Sequence, residues 1–266
     1  MVKTIEFNVN NPNTFTSYLK KFASIDKSVL LELDLENSQF VAKSTNEERS
    51  IVKRSILLFS EAGFELKTKL KIRIKIGIYN ISRLIKIIDQ FGSEFQFIVK
   101  YDEIVGNNNQ IDYAAISLII TNNDLKFNNE CTSLNIFKYI SDKIFNDTII
   151  KVDNIILFDL TKETIEKIRA LCELDKEFNL IEFTNKEGKM YAKGKSFEFL
   201  IVLTSKIDNK IPIYKELFDK VDVENYKVSI GSDRMLFTSI DTNTEIVISR
   251  VEINDNYEET NKDPFN

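Results

Sequence analysis

The strongest constraint in this sequence is a repeated alternation of one short amphipathic helix with several β-rich runs. Four segments carry apolar residues at or near i, i+3, i+4 and i+7, the stripe by which a helix buries one face. They are Phe15, Tyr18, Leu19 and Phe22; Ile81, Leu84, Ile85 and Ile88; Ile165, Ile168 and Cys172 with Leu171 on the flank; and Tyr214, Leu217, Phe218 and Val221. Asn13 or Thr14, Asn80 and Thr161 stand where helix caps belong, and Pro12 and Pro212 precede the first and fourth helices. Between the helices the sequence is rich in Ile, Val, Phe and Tyr and predicts strands. In the first half these cover Val29 to Leu35, Gln39 to Lys43, Ile51 to Phe59, Leu70 to Ile78, Phe95 to Tyr101 and, after a Gly106-Asn107-Asn108-Asn109 turn, Tyr113 to Ile120. The second half repeats the order from Asn154 to Val251 around a Lys186-Glu187-Gly188 turn. The unit strand, helix, strand, strand, strand therefore runs four times, twice in each half, and defines an α+β protein.

Such a unit lays one helix on an antiparallel sheet and leaves sheet edges that seek partners, so repetition favours a symmetric closed assembly. The pattern breaks between Asn122 and Asp153. Residues 1–121 and 154–253 are read as two similar domains, 122–153 as the linker and 254–266 as an acidic tail. The linker holds Leu134, Ile136, Phe137, Tyr139, Ile140, Ile144 and Phe145. It is too apolar for a free tether, and either packs as an extra element or docks a partner.

Composition removes most chemistry. With no histidine among 266 residues, the commonest general base and metal ligand are missing. No Gly-rich phosphate loop or calcium loop is present, and paired carboxylates such as Glu47 with Glu48 sit in polar, surface-like runs. Cys131 and Cys172 lie far apart without a CxxC spacing, which fits a reducing compartment. No catalytic residue, metal site or cofactor is expected. The amino-terminal residues lack the apolar core of a signal peptide and no apolar run approaches a bilayer span, so an intracellular, cytoplasmic protein with no membrane partner is expected.

The net charge of −5 argues against nonspecific coating of nucleic acid, but the cations are not evenly spread. Lys20 and Lys21 project opposite the first apolar stripe, and Arg83, Lys86 and Gln90 occupy the same phase on the second. The third helix mixes Lys162, Lys167 and Arg169 with Glu163, Glu166 and Glu173, and the fourth sets Lys215 and Lys220 beside Glu216 and Asp219. Weaker positive potential is expected there. Without interleaved aromatic residues to stack unpaired bases, contact with a duplex backbone is the favoured nucleic-acid reading.

In this order of elements the chain resembles the DNA sliding-clamp family, which includes proliferating cell nuclear antigen, and most closely the clamps of tailed phages. The residues that carry the resemblance are Phe15 to Ile25 followed by a strand at Val29, Ile76 to Leu84, Leu160 to Ile168, the Lys186 to Met190 hairpin and Glu224 to Val228. It spans Phe15 to Arg250 through an ordered set of segments rather than one diagnostic motif. The longer linker and the acidic carboxy-terminal extension depart from the pattern. The resemblance implies a clamp fold in which three subunits close head to tail around duplex DNA, with helices lining the pore. Lys20, Lys21, Arg83, Lys86, Lys167, Arg169, Lys215 and Lys220 would face the DNA. The subunit contact would pair Tyr113, Ile116 and Leu118 with Met190, Ala192 and Lys193 of a neighbour. A partner pocket would involve Phe137, Tyr139, Val251 and Ile253. The implied partners are a DNA polymerase and an ATP-dependent clamp loader. Two alternatives stay open: a monomeric or dimeric clamp-fold processivity factor, and a scaffold of this fold, for example in viral late transcription, that touches no DNA.

Overall fold

Apolar residues at helical and strand spacing assemble as the sequence requires. In a computed structural model, residues 2–66, 70–105, 111–140, 146, 156–175 and 178–251 are described, with Lys138 and Tyr139 given by backbone alone. The chain forms two compact units, Met1–Lys151 with Thr238–Val247, and Val152–Phe237 with Ile248–Asn266.

The first repeat runs β1 (Lys3–Val9), α1 (Asn13–Ala23), β2 (Val29–Asp34), β3 (Gln39–Thr45), β4 (Ile51–Leu58), β5 (Phe64–Leu66), β6 (Arg73–Ile78), α2 (Ile81–Gln90), β7 (Phe95–Val105), β8 (Ile111–Thr121) and β9 (Lys126–Glu130), then a 3-10 helix, Leu134–Ile140. The second runs β10 (Ile156–Leu160), α3 (Lys162–Leu174), β11 (Leu180–Lys186), β12 (Lys189–Lys193), β13 (Glu198–Leu203), β14 (Asn209–Tyr214), α4 (Lys215–Phe218), β15 (Tyr226–Ile230), β16 (Arg234–Ser239) and β17 (Asn243–Ser249). The stretch expected to be linker from residue 122 is thus structured through Ile140: β9 pairs with β8, and the 3-10 helix buries Phe137 and Ile140 against Leu30. The turn at 106–109 lies outside the described residues.

Strand pairing repeats with the sequence. In the first repeat the orders are β1-β7-β8-β9 and β4-β3-β2-β6; in the second they are β10-β15-β16-β17 and β13-β12-β11-β14. Counted from the preceding turn, Lys43 is the fifth residue of β3 and Lys193 the fifth of β12, each following a buried alanine, Ala42 and Ala192. The repeats differ at their edges. β4 is flanked by β17, whereas among the described residues β13 ends its sheet and β9 pairs only with β8.

Helix capping follows the sequence at two of three places. Asn80 accepts from the Arg83 N–H at 2.9 Å and Thr161 from the Thr164 N–H at 3.2 Å, whereas α1 is capped by Pro12 rather than by Asn13 or Thr14. Both helical stripes of the first unit close on one core, where the Phe15 ring sits 4.7 Å from Phe40 and 4.8 Å from Phe64. Fully burying such a ring contributes about 1.5–3 kcal/mol. The one polar group on this stripe is satisfied: the Tyr18 hydroxyl donates to Ser55 O at 2.7 Å and accepts from the Ala42 N–H at 2.8 Å, bridging β3 and β4. Burial pushes its pKa up.

Gly77 on β6 is where the 3-10 helix approaches most closely: a Cβ there would lie 2.3 Å from Thr132 O and 2.7 Å from the Phe137 ring. Gly77→Ala is expected to destabilise the protein by about 1–3 kcal/mol through overpacking, read as a lowered urea midpoint with an unchanged slope.

Candidate nucleic-acid interface and strand edges

The cations of the first unit stand on helices that lie side by side, because the stripes of α1 and α2 share one sheet and one core. Burying Phe15, Leu19 and Phe22 turns Lys20 outward, and it meets no acidic partner among the described residues. Lys21 is half-buried at the edge of the same face, and its carbonyl accepts from the fully buried Lys53 at 3.0 Å, which caps α1. Arg83 and Lys86 are both exposed on α2, with the Arg83 guanidinium 5.6 Å from the Phe127 ring of β9. Exposed Asp89, a turn beyond Lys86 and overlooked in the sequence pattern, partly offsets it.

The second unit is different, and two expected DNA contacts are corrected. Arg169 donates to the carbonyls of Phe218 (3.1 Å), Asp219 (2.8 Å) and Val221, so it caps α4 instead of projecting. Lys215 does the reciprocal, donating to Cys172 O at 3.2 Å and to Asp175 O at the end of α3. A cation is the natural partner for the unpaired carbonyls of a helix C-terminus. Lys167 remains exposed, 4.6 Å from the Phe199 ring, and Lys220 is half-buried. Around them Glu163, Glu166, Glu173, Glu216 and Asp219 are exposed. On the first-unit helices the exposed cations Lys20, Arg83 and Lys86 outnumber the exposed carboxylate Asp89, whereas on and beside α3 and α4 the exposed carboxylates outnumber exposed Lys162 and Lys167.

The expected subunit-contact residues are also corrected, because neither strand is an edge. β8 lies between β7 and β6, and its far end pairs with β9, while β12 lies between β11 and β13. Leu118, Met190 and Ala192 are fully buried in their own cores. Tyr113 packs its ring 5.9 Å from that of Tyr101, Ile116 O accepts from the Cys131 N–H at 2.9 Å, and Lys193 pairs with Glu198 at 2.8 Å. Among the described residues the strands one step further along in each repeat, β9 and β13, are open at their outer sides, as are the end strands β5, β10 and β14. β13 is the more apolar, with Phe199 to Val202 and Leu203 wholly or partly accessible, Leu200 at 45% and Leu203 at 71%.

Of the expected partner pocket, Phe137 is buried and lines a groove of about 400 Å³ in the first unit with Ile136, Ile140, Tyr79 and Lys27. The Lys27 ammonium lies 5.0 Å from the Tyr79 ring at its rim. Val251 belongs to the second unit, where its N–H bonds Pro212 O at 2.9 Å. The Tyr139 side chain and Ile253 fall outside the described residues.

Among the described residues no three His, Cys, Asp or Glu side chains gather as a metal site, and no helix is long and apolar enough to cross a membrane. Burial pushes the Cys131 thiol up to about 12 and the Cys172 thiol up to about 11, which removes the thiolate needed for nucleophilic chemistry.

No protein-family model matches the sequence, and no curated relative matches it. Solved structures do. A putative DNA polymerase III beta subunit from Eubacterium rectale aligns over 97% of this chain and 68% of its own at 10% identity, with a TM-score of 0.62. The DnaN sliding clamp of Pseudomonas aeruginosa, bound to griselimycin, aligns over 98% of this chain and 69% of its own at 10% identity and a TM-score of 0.64. The PCNA of A. fulgidus, bound to the C-terminal region of FEN-1, aligns over 94% of this chain and all of its own at 9% identity and a TM-score of 0.61. The chain has the fold of the DNA sliding clamps. It matches the archaeal PCNA end to end, and about two thirds of the bacterial clamp subunits.

Replacing Arg169 or Lys215 by Ala is expected to lower the melting temperature by several degrees, since each leaves helix-end carbonyls unpaired. An unchanged melting temperature in both variants would contradict the capping role.

Proposed function

We propose that this protein is a non-enzymatic processivity clamp, three copies of which close head to tail around duplex DNA and tether a DNA polymerase to it. The observation that carries this is the edge inventory. Each repeat offers one β4-type edge and one β9-type edge; the chain satisfies one such pairing internally, through β4 and β17, and among the described residues leaves their counterparts β13 and β9 open, alongside the end strands β5, β10 and β14, which have no such internal counterpart pairing. A surface with two different complementary edges associates head to tail, and such association either closes into a ring or grows without limit. The end-to-end match to the PCNA chain favours the three-copy ring of the resemblance.

Lys20, Lys21, Arg83 and Lys86 supply the phosphate contacts. Long cations on rigid helices, Lys20, Arg83 and Lys86 exposed and Lys21 at the edge of the face, make diffuse, exchangeable ion pairs that hold no sequence register, so the ring slides while its closure prevents escape. A polymerase bound elsewhere on the ring then stays at high effective concentration near the primer end. Loading a closed ring requires work, which falls to a separate ATP-driven loader. The groove beside Phe137 and Tyr79 is the candidate seat for a partner segment, an inference supported by solved clamps carrying bound peptide, such as the Helicobacter pylori beta clamp with a DNA ligase peptide.

At micromolar concentration the protein is expected to sediment as a trimer; a monomer at all concentrations would contradict the ring. Replacing Lys20, Lys21, Arg83 and Lys86 together by Ala is expected to abolish stimulation of the cognate polymerase on primed circular DNA. It should also flatten the salt dependence of DNA retention, by about 0.9 in log–log slope for each phosphate ion pair that the substitutions remove. Replacing Lys167 and Lys220 should have a smaller effect on both. Full stimulation by the four-site variant would favour a scaffold that touches no DNA.

A further inference from the structure

The repeated topology also specifies which side chains meet across the open edges, provided the head-to-tail reading above holds. Within the chain, β4 and β17 are locked by Arg54, whose Nε donates to the Glu245 carboxylate at 2.8 Å, beside a 2.7 Å contact between the Ser55 and Thr244 hydroxyls. The repeat carries each of the two charged positions onto an open edge.

On β3 and β4, Lys43 lies opposite Arg54; on β12 and β13, the matching Lys193 lies opposite Glu198. Glu198 is therefore the counterpart of Arg54. In the first repeat Thr121 on β8 lies opposite Lys126 on β9. In the closing hairpin the bond from Arg250 N to Asp233 O at 2.7 Å sets a register that places Thr238 opposite Glu245. Thr121 and Thr238 each follow a fully buried apolar residue, Ile120 and Phe237, on the strand before the edge, and on that equivalence Lys126 is the counterpart of Glu245. An Arg–Glu pair inside the chain becomes Glu and Lys on its two free edges, with the signs exchanged.

We propose that the subunit junction is registered by an ion pair between Lys126 of one copy and Glu198 of the next. Lys126 is exposed and has no partner among the described residues. Glu198 is bonded on one side by Lys193, yet its side chain remains 52% exposed and keeps free lone pairs for a second cation. The sign exchange also discriminates. A β9 edge docking on β4 would set Lys126 against Arg54, and a β17 edge docking on β13 would set Glu245 against Glu198, so each mispairing brings like charges together. Opposed charges across neighbouring strands stabilise register, and like charges in the same place destabilise it. The apolar run Phe199 to Leu203 supplies adhesion, and the ion pair supplies its alignment.

The test is a charge-exchange series on the intact chain, read by sedimentation across a dilution range. Lys126→Glu and Glu198→Lys are each expected to raise the concentration for half-assembly by about fivefold per junction, compounded over the ring, and the double exchange should recover most of that loss. Lys126→Glu is the cleaner of the two, because Glu198→Lys also sets two lysines side by side on β12 and β13; melting curves separate that local cost from assembly. Single variants that assemble like the wild type, or a double variant no better than the singles, would overturn the registering pair while the trimer, and with it the ring, stands. A wild type that never assembles would overturn the ring itself and this pair with it.

Discussion

An unpaired strand edge is costly and adhesive, and the organisation of this chain turns on how its edges are covered. The seam between β4 and β17 shows what a satisfied edge looks like here. Arg54 meets Glu245, Ser55 meets Thr244, and the Tyr18 hydroxyl is inserted beside them between Ala42 and Ser55. That cluster ties α1, β3, β4 and β17 into one body, so the helix carrying Lys20 and Lys21 is fixed to a covered edge. On the proposed ring, the same topology, left uncovered at β9 and β13, would extend this folding rule to assembly.

Helix position and edge position are coupled. The Phe127 ring of β9 sits under the Arg83 guanidinium, and the Phe199 ring of β13 sits under the Lys167 ammonium. Each open edge thus carries a half-buried aromatic held by a helix cation, which keeps both strands in shape before any partner arrives. The division of charge follows. First-unit helices spend their apolar face on the core and leave Lys20, Arg83 and Lys86 exposed, while α3 and α4 commit Arg169 and Lys215 to each other's carbonyl ends and expose carboxylates. On the proposed clamp reading, a DNA track along the helices would run mainly over the first unit, where the exposed helix charge is positive.

Much of the fold was legible because its signals are local. The 3.6-residue stripes located α1, α2 and α3, and runs of Ile, Val and Phe located most strands to within a few residues. The edges were not legible in the same way. Lys126 to Glu130 reads Lys-Phe-Asn-Asn-Glu, a polar run typical of loops, yet it pairs as β9, an edge strand whose inner face is only half-buried and carries a single apolar residue, Phe127. β13 was recognisable as a strand, but its place at the end of a sheet depends on long-range order that periodicity does not encode. Arg169 could have been recognised: it occupies the i+4 position of the stripe begun by Ile165, on the side facing protein. The exposure of Lys20, Arg83 and Lys86 was legible because they lie opposite their stripes, where burial of one face leaves the other in solvent.

The most direct test of the account is an electron image of the purified protein at a concentration where it assembles. A closed three-copy ring, with α1 and α2 on the wall of an opening wide enough for a double helix and β9 seated on β13 of the next copy, is the expected result. Compact particles with no opening, or a ring whose inner wall is built from the sheets instead of the helices, would contradict it.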